Sequence, residues 1–155
     1  MPRKKIVKKK ELRTDPIFNS ILIQLLINRI LKKGKKQLAI RIVLDTLEHI
    51  RLKSKQDALQ LIEIAIQNLS PSVEIQTKRI GGAVYSVPLE VQSFKATNLA
   101  VQLLLETTRA KSGYYFSKKL AEEIIEASNN MGSAIRKKEE IHRIANANAK
   151  LTKKF

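Results

Sequence analysis

The chain contains no cysteine. Disulfides, thiolate metal sites and cysteine nucleophiles are excluded together, an absence that fits a reducing compartment. No run of about 18 uncharged apolar residues occurs, so no membrane-spanning helix is expected. The opening MPRKKIVKKKELR is basic and lacks the apolar stretch of a secretory signal, so none is expected. No repeat at a fixed period is present. Histidine is scarce: His49 and His142 stand far apart on helical stretches, with no carboxylate or thiolate partner at ligand spacing. No metal or other cofactor is expected.

Negative charge is the largest deficit. Fourteen Asp plus Glu face thirty Lys plus Arg, a net charge of +16. Such an imbalance repels itself in a folded chain and points to a polyanionic partner. A phosphate backbone attracts clustered cations and releases its own counterions. An anionic membrane surface is the competitor. A defined core and the lack of any interfacial anchor helix favour nucleic acid, with no membrane partner.

What is present is enough for a core. The 155 residues amount to about one domain by length, and 43% of them are hydrophobic and spread along the chain. Residues 1–14 are expected to form a basic arm. Arg3, Lys4, Lys5, Lys8, Lys9, Lys10 and Arg13 sit there with one acid, Glu11. Such a run is either a solvated tail or an arm that orders on an anionic partner, and the arm is the preferred reading. Residues 15–155 are expected to be a single helical domain.

Asp15-Pro16 reads as the start of a first helix, with Asp as cap and Pro at the first position. Ile17, Ile21, Leu22, Leu25 and Leu26 recur at helical spacing, nearly all round, which predicts deep burial. Lys32-Lys33-Gly34 is a stop. A second helix is predicted over Lys35 to Arg51, with Leu38, Ile42, Val43, Leu47 and Ile50 inward. A third runs from about Asp57 to Leu69 and ends at Ser70-Pro71. Then SVEIQTKRI and AVYSVPLEV alternate β-branched or aromatic with polar residues around Gly81-Gly82. This is a hairpin at about 72–91, in which Ile80 faces Ala83 and Lys78 faces Tyr85. Pro88 keeps its strand at an edge. Helices four to six follow, starting near Ser93, at a Ser117 cap and at a Ser133 cap, the last running to about Leu151. The expected fold is mainly α: a six-helix bundle with a protruding two-stranded antiparallel ribbon between helices three and four.

The cations cluster where helices do not need them. Lys32, Lys33, Lys35 and Lys36 crowd one turn. Lys78 and Arg79 flank the hairpin turn, where charge also guards an edge strand. Lys111, Tyr114 and Tyr115 make a second loop of this kind, although the tyrosines could pack on the core. Arg136, Arg143 and Lys150 fall at intervals of seven, and Ile135, Ile141, Ile144 and Ala145 are assigned inward. Glu139 and Glu140 have Arg136 and Arg143 as helical neighbours, which favours surface ion pairs. Gly81-Gly82 is no phosphate loop, since no Lys-Ser follows and no helix opens after it.

DPIFNSILIQLLINRILKKGKK, KRIGGAVYSVPLEV and AIRKKEEIHRIANANAK occur in that order. Together they resemble small-subunit ribosomal protein seven, of the bacterial and organellar type, over Asp15 to Lys150. The Lys- and Ile-rich composition suggests an AT-rich genome such as a plastid one. The resemblance implies a helical bundle with a β-ribbon and no enzymatic activity. It implies binding to the 3′ major domain of small-subunit ribosomal RNA, nucleation of head assembly, and a place near the exit tRNA and the eleventh small-subunit protein. It assigns the arm from Arg3 to Arg13, the Lys32 to Lys36 turn and the Lys111 to Tyr115 loop to ribosomal RNA. Lys78, Arg79, Gly81 and Gly82 would reach toward tRNA, with Arg136, Lys137 and Arg143 nearby. The location implied is the ribosome, in a plastid stroma or a bacterial cytoplasm.

The rival from another class is an architectural DNA-binding protein, since a basic ribbon can enter a DNA groove. A nuclease using His142 with Glu139 ranks last.

Overall fold

Asp15 does not open the first helix. Its buried carboxylate accepts the N–H groups of Ile17 and Phe18, each at 3.1 Å, and closes a single turn. Asn19 ends that turn at φ 50°, a left-handed conformation that Asn tolerates. The helix proper, α1 (Ile21–Ile30), starts one residue later with Ser20 as cap. The computed structural model describes residues 14–80, 82–113 and 115–149. All of the expected arm except Thr14 therefore lies outside the described residues.

α1 buries Ile23, Leu25, Leu26, Ile27 and Ile30, as its apolar sequence predicts. Ile17 and Ile21, at its approach, stay more than half exposed or close to it, at 57% and 50%. α2 (Lys36–Ser54) follows and ends on Lys55 at φ 55°. Its buried stripe is Ala39, Val43, Thr46, Leu47 and Ile50. Leu38 was expected inward and is exposed, because one residue turns a helix by about 100° and Ala39 leads the stripe instead. α3 (Ala58–Leu69) is capped by Asp57, which accepts the Leu59 N–H at 3.2 Å.

β1 (Val73–Ile80) and β2 (Ala83–Glu90) form one antiparallel pair. The register is the expected one: Ile80 opposite Ala83, Lys78 opposite Tyr85. At the base, Val87 and Pro88 are buried, while Val73, Ile75 and Leu89 are partly so. A two-stranded ribbon is marginal alone in water, and this one rests its base on the last helix.

α4 (Ser93–Ala110), α5 (Phe116–Ser128) and α6 (Ser133–Ala147) complete the described chain. α6 ends earlier than about Leu151, which lies outside the described residues. α5 is central and packs against α2, α3, α4 and α6. Leu120, Ala121, Ile124 and Ala127 on it are fully buried. Asn68 of α3 fastens the far end of α5, donating to the carbonyls of Ala127 and Ser128 at 3.1 and 3.0 Å. Lys138 of α6 donates to the Asn68 carbonyl at 2.5 Å. Ile144, assigned inward from spacing, is exposed, because Ala145 takes the contact.

Two expected caps are absent, and only the one at α6 is replaced. Ser117 lies inside α5, whose start is Tyr115 without a side-chain cap. Ser133 is the first residue of α6, after Gly132 at φ 97°. The capping role falls to Glu123 of α5, a fully buried carboxylate. Its Oε1 accepts from the Ala134 N–H at 2.8 Å and from the Ser133 hydroxyl at 2.9 Å. Its Oε2 faces the Lys111 ammonium at 2.5 Å. Lys111 also reaches Glu126 at 2.9 Å. A carboxylate at a helix start meets the positive end of the backbone dipole.

Burial by itself pushes the Glu123 carboxyl upward. The Lys111 ammonium, the Ala134 N–H and the Ser133 hydroxyl outweigh it and hold it below the ordinary carboxylate value of 4.5. Burial likewise pushes the Lys111 ammonium down, and its two carboxylate partners outweigh that and hold it above 10.5. A depressed carboxyl stabilises the fold above its unfolded value, and that contribution is lost as pH falls through the folded value.

Leu25→Ala should cost about 2–5 kcal/mol in a denaturant melt, and an unchanged midpoint would refute the burial. Glu123→Gln should cost about 1–3 kcal/mol at neutral pH. The gap between its melting temperature and the parent's should shrink below about pH 4.5. A gap independent of pH would show that the charge on Glu123 contributes nothing.

Candidate nucleic-acid interface

The turn between α1 and α2 puts four lysines in water. Lys33 and Gly34 take left-handed angles, φ 51° and 75°. The turn is closed by Lys35 N–H to Lys32 carbonyl at 3.1 Å and Lys36 N–H to Gly34 carbonyl at 2.8 Å. Lys32, Lys33, Lys35 and Lys36 are all exposed, and none joins an ion pair among the described residues. α2 begins here with no side-chain cap and no acid in its first turn. Arg41, which sequence reading missed, joins Lys35 and Lys36 around an open cleft of about 470 Å³. Its one-turn spacing from Gln37 on the exposed face of α2 is the signal that could have found it.

The ribbon tip carries Lys78 and Arg79, both exposed. Consecutive strand residues point to opposite faces. Lys78 therefore shares one face with Tyr85, and Arg79 shares the other with Val84. Tyr85 is 40% exposed and Val84 67%, so apolar surface stands beside each cation. Gly82 bends the turn at φ 90°. Gly81 lies outside the described residues.

Lys111 is not a free surface cation. Its ammonium is held between Glu123 and Glu126, and its carbonyl accepts from Lys119 Nζ at 2.8 Å. The outward element of this loop is Tyr115, 68% exposed, with Lys118 Nζ 5.1 Å from its ring centroid. A cation over an exposed ring is a cation–π contact held at the surface. Lys118 was missed in the sequence, though its position three residues after Tyr115 on a helix start would have shown it. Tyr114 lies outside the described residues, as do Arg3, Lys4, Lys5, Lys8, Lys9, Lys10, Arg13 and Lys150.

Arg136, Lys137 and Arg143 are exposed on α6. Arg136 and Arg143 are about 10 Å apart along the axis. Glu139 and Glu140 were expected to pair with them, yet neither joins an ion pair among the described residues. Both stay exposed, where such pairs gain little. His142 turns its Nε2 into the protein without a hydrogen-bond partner. Burial first, then the nearby Lys138 charge, hold its pKa below 6.5. Among the described residues, no group of three metal-ligating side chains converges.

These clusters occupy two ends of α4. The ribbon adjoins its start. Its finish carries Lys111, and there Arg109 donates to the Arg29 carbonyl at 3.4 Å, near the lysine turn. Eighteen residues of helix span about 27 Å. α6 runs from one side to the other: Ala134 meets Glu123, while Ala145 lines a cleft with Val73 and Pro88 of the ribbon base. Among the described residues only Lys53, Lys95 and Lys111 are ion-paired, Lys53 with Glu122 and Lys95 with Glu74. The remaining cations there form no ion pair with a carboxylate of the described residues.

The sequence has clear relatives. Residues 2–149 match the model of the family described as ribosomal protein S7p/S5e. "Small ribosomal subunit protein uS7" of Thermotoga maritima is 44% identical over 146 residues, covering 94% of each chain. The protein of the same name from Gloeothece citriformis is 43% identical, covering 96% of this chain and 95% of its own. "Small ribosomal subunit protein uS7c" of Bigelowiella natans is 41% identical over 155 residues, 99% and 98% of the two chains. With a match over nearly its whole length, this bundle and its ribbon belong to the ribosomal protein S7p/S5e family, which is structural and not enzymatic.

Proposed function

We propose that this protein is a structural constituent of the small ribosomal subunit that binds the 3′ major, or head, domain of ribosomal RNA. One observation carries the reading: the exposed cations of the lysine turn, the ribbon tip and α6 have no carboxylate partner among the described residues. A folded protein keeps such charge unpaired at a cost in self-repulsion, which a phosphate backbone removes.

In this reading the Lys32, Lys33, Lys35 and Lys36 turn contacts backbone phosphates. The Tyr115–Lys118 platform offers a face to an unstacked base. The arm, residues 1–14, adds further phosphate contacts from Arg3, Lys4, Lys5, Lys8, Lys9, Lys10 and Arg13, and residues 15–155 act as one domain. Lys111 serves from inside, by fixing the loop. Lys78, Arg79, Gly81 and Gly82 of the ribbon, with Arg136, Lys137 and Arg143 of α6, face the exit tRNA, and the protein lies beside the eleventh small-subunit protein. By binding early the protein helps nucleate head assembly. A plastid or a bacterial ribosome is the setting, in keeping with relatives of both kinds.

Binding to a head-domain RNA fragment should weaken steeply with salt, log K falling by about 0.7–0.9 per log unit of salt for each phosphate contact. Lys78→Ala with Arg79→Ala should keep a cooperative melt at the parent's midpoint, because neither side chain touches the core. The same double variant should lower incorporation into small subunits and flatten the salt slope by about 2. A flat salt dependence for the parent would sink the reading. Equal affinity for random duplex DNA with bending of that DNA would point to an architectural DNA-binding protein instead.

A further inference from the structure

Glu123 is the one acid of the described chain that is wholly removed from water. It stands where two loops meet. On one side it grips Lys111, which opens the segment after α4. On the other it caps α6 through Ala134 and Ser133. Glu126, one turn along α5, holds the same ammonium and accepts the Met131 N–H through its backbone carbonyl at 2.9 Å. The corner is tight: a Cβ on Gly132 would lie 2.9 Å from Glu126 Oε2. Two segments distant in sequence are thus tied to one helix by two carboxylates and one ammonium. The first leads into Tyr115 and Lys118, the second into Arg136 and Lys137.

We propose that Glu123 is a positioning residue for RNA binding, which locks residues 111–113 and the start of α6 into one preformed basic surface. The inference rests on the RNA-binding reading above. Its signature is a sign. Removing a carboxylate from a basic protein should tighten RNA binding by simple electrostatics. Here it should do the reverse, because Lys111 keeps only Glu126 and both loops lose their fixed relation, so their ordering falls on the binding step.

The test uses the full chain and a head-domain fragment of small-subunit ribosomal RNA, titrated well below each variant's melting midpoint. Glu122→Gln is the control: it removes the same charge one residue away, from an exposed pair with Lys53. It should bind as tightly as the parent or more tightly. Glu123→Gln should bind roughly tenfold more weakly, the size of one lost positioning contact. Amide hydrogen exchange should quicken at Ala134 and across residues 111–113, and stay unchanged in α2 and α3. Should Glu123→Gln fail to fold, Glu126→Gln decides: it loosens the same ammonium from the partly exposed side and should weaken binding more mildly. Parent-like or tighter binding by the folded variant overturns the inference and leaves the RNA-binding reading standing. No binding by the parent overturns that reading, and this inference with it.

Discussion

The governing constraint is the shortage of acids. Thirty cations share fourteen carboxylates, so at least sixteen can have no carboxylate of their own. Such a chain folds only if its apolar core outweighs the self-repulsion and if the unpaired charge is kept far from the core and spread among several sites. Both conditions are visible. α5 is surrounded by other helices and buries small and branched residues completely. The cations stand on a turn, a ribbon and the outer side of α6. Where acids are used inside, they are concentrated: Glu123 and Glu126 serve one lysine at the corner that sets the course of α6.

That corner shows why a buried ion pair can be tolerated. Removing two charges from water costs more than their attraction returns unless every remaining polar atom is satisfied. Glu123 meets it on one oxygen, with a backbone N–H and a hydroxyl, while its other oxygen has the charge of the Lys111 ammonium beside it and no hydrogen bond. Lys111 keeps part of its side chain in water, 27% exposed, which lowers its own desolvation. The arrangement does the work of a local cap while also fixing the preceding loop, which a serine at the helix start could not do.

Local signals were legible in the sequence, and contacts across the fold were not. The ribbon register followed from alternation and two glycines, since a one-residue slip would exchange its faces. The start of α3 near Asp57 and its end at Ser70-Pro71 were local too. The missing caps of α5 and α6 were misread because serine near a helix start is a frequent cap, and nothing in the sequence reveals a carboxylate ten residues upstream. Asp15-Pro16 was misread because an isolated turn and a helix begin alike; only the left-handed Asn19 separates them. Lys111 looked like one more surface cation for the same reason. The exposed lysines of the turn and the ribbon tip were found from clustering alone, while Arg41 and Lys118 needed the helical geometry to bring them into the same regions.

The ribbon adds a geometric consequence. Its two cations sit next to each other in sequence and so on opposite faces, each beside exposed apolar surface. A finger meant to lie flat on a partner would put both on one face, two residues apart. Under the proposed reading, a tip cationic on both sides is suited to insertion between two surfaces. The base follows the same logic: Val87 and Leu89 lie on one face and Val73, Ile75 and Pro88 on the other, so burial there clamps the ribbon from both sides. A finger clamped at its root can carry charge at its tip without relying on its own hydrogen bonds to stay folded.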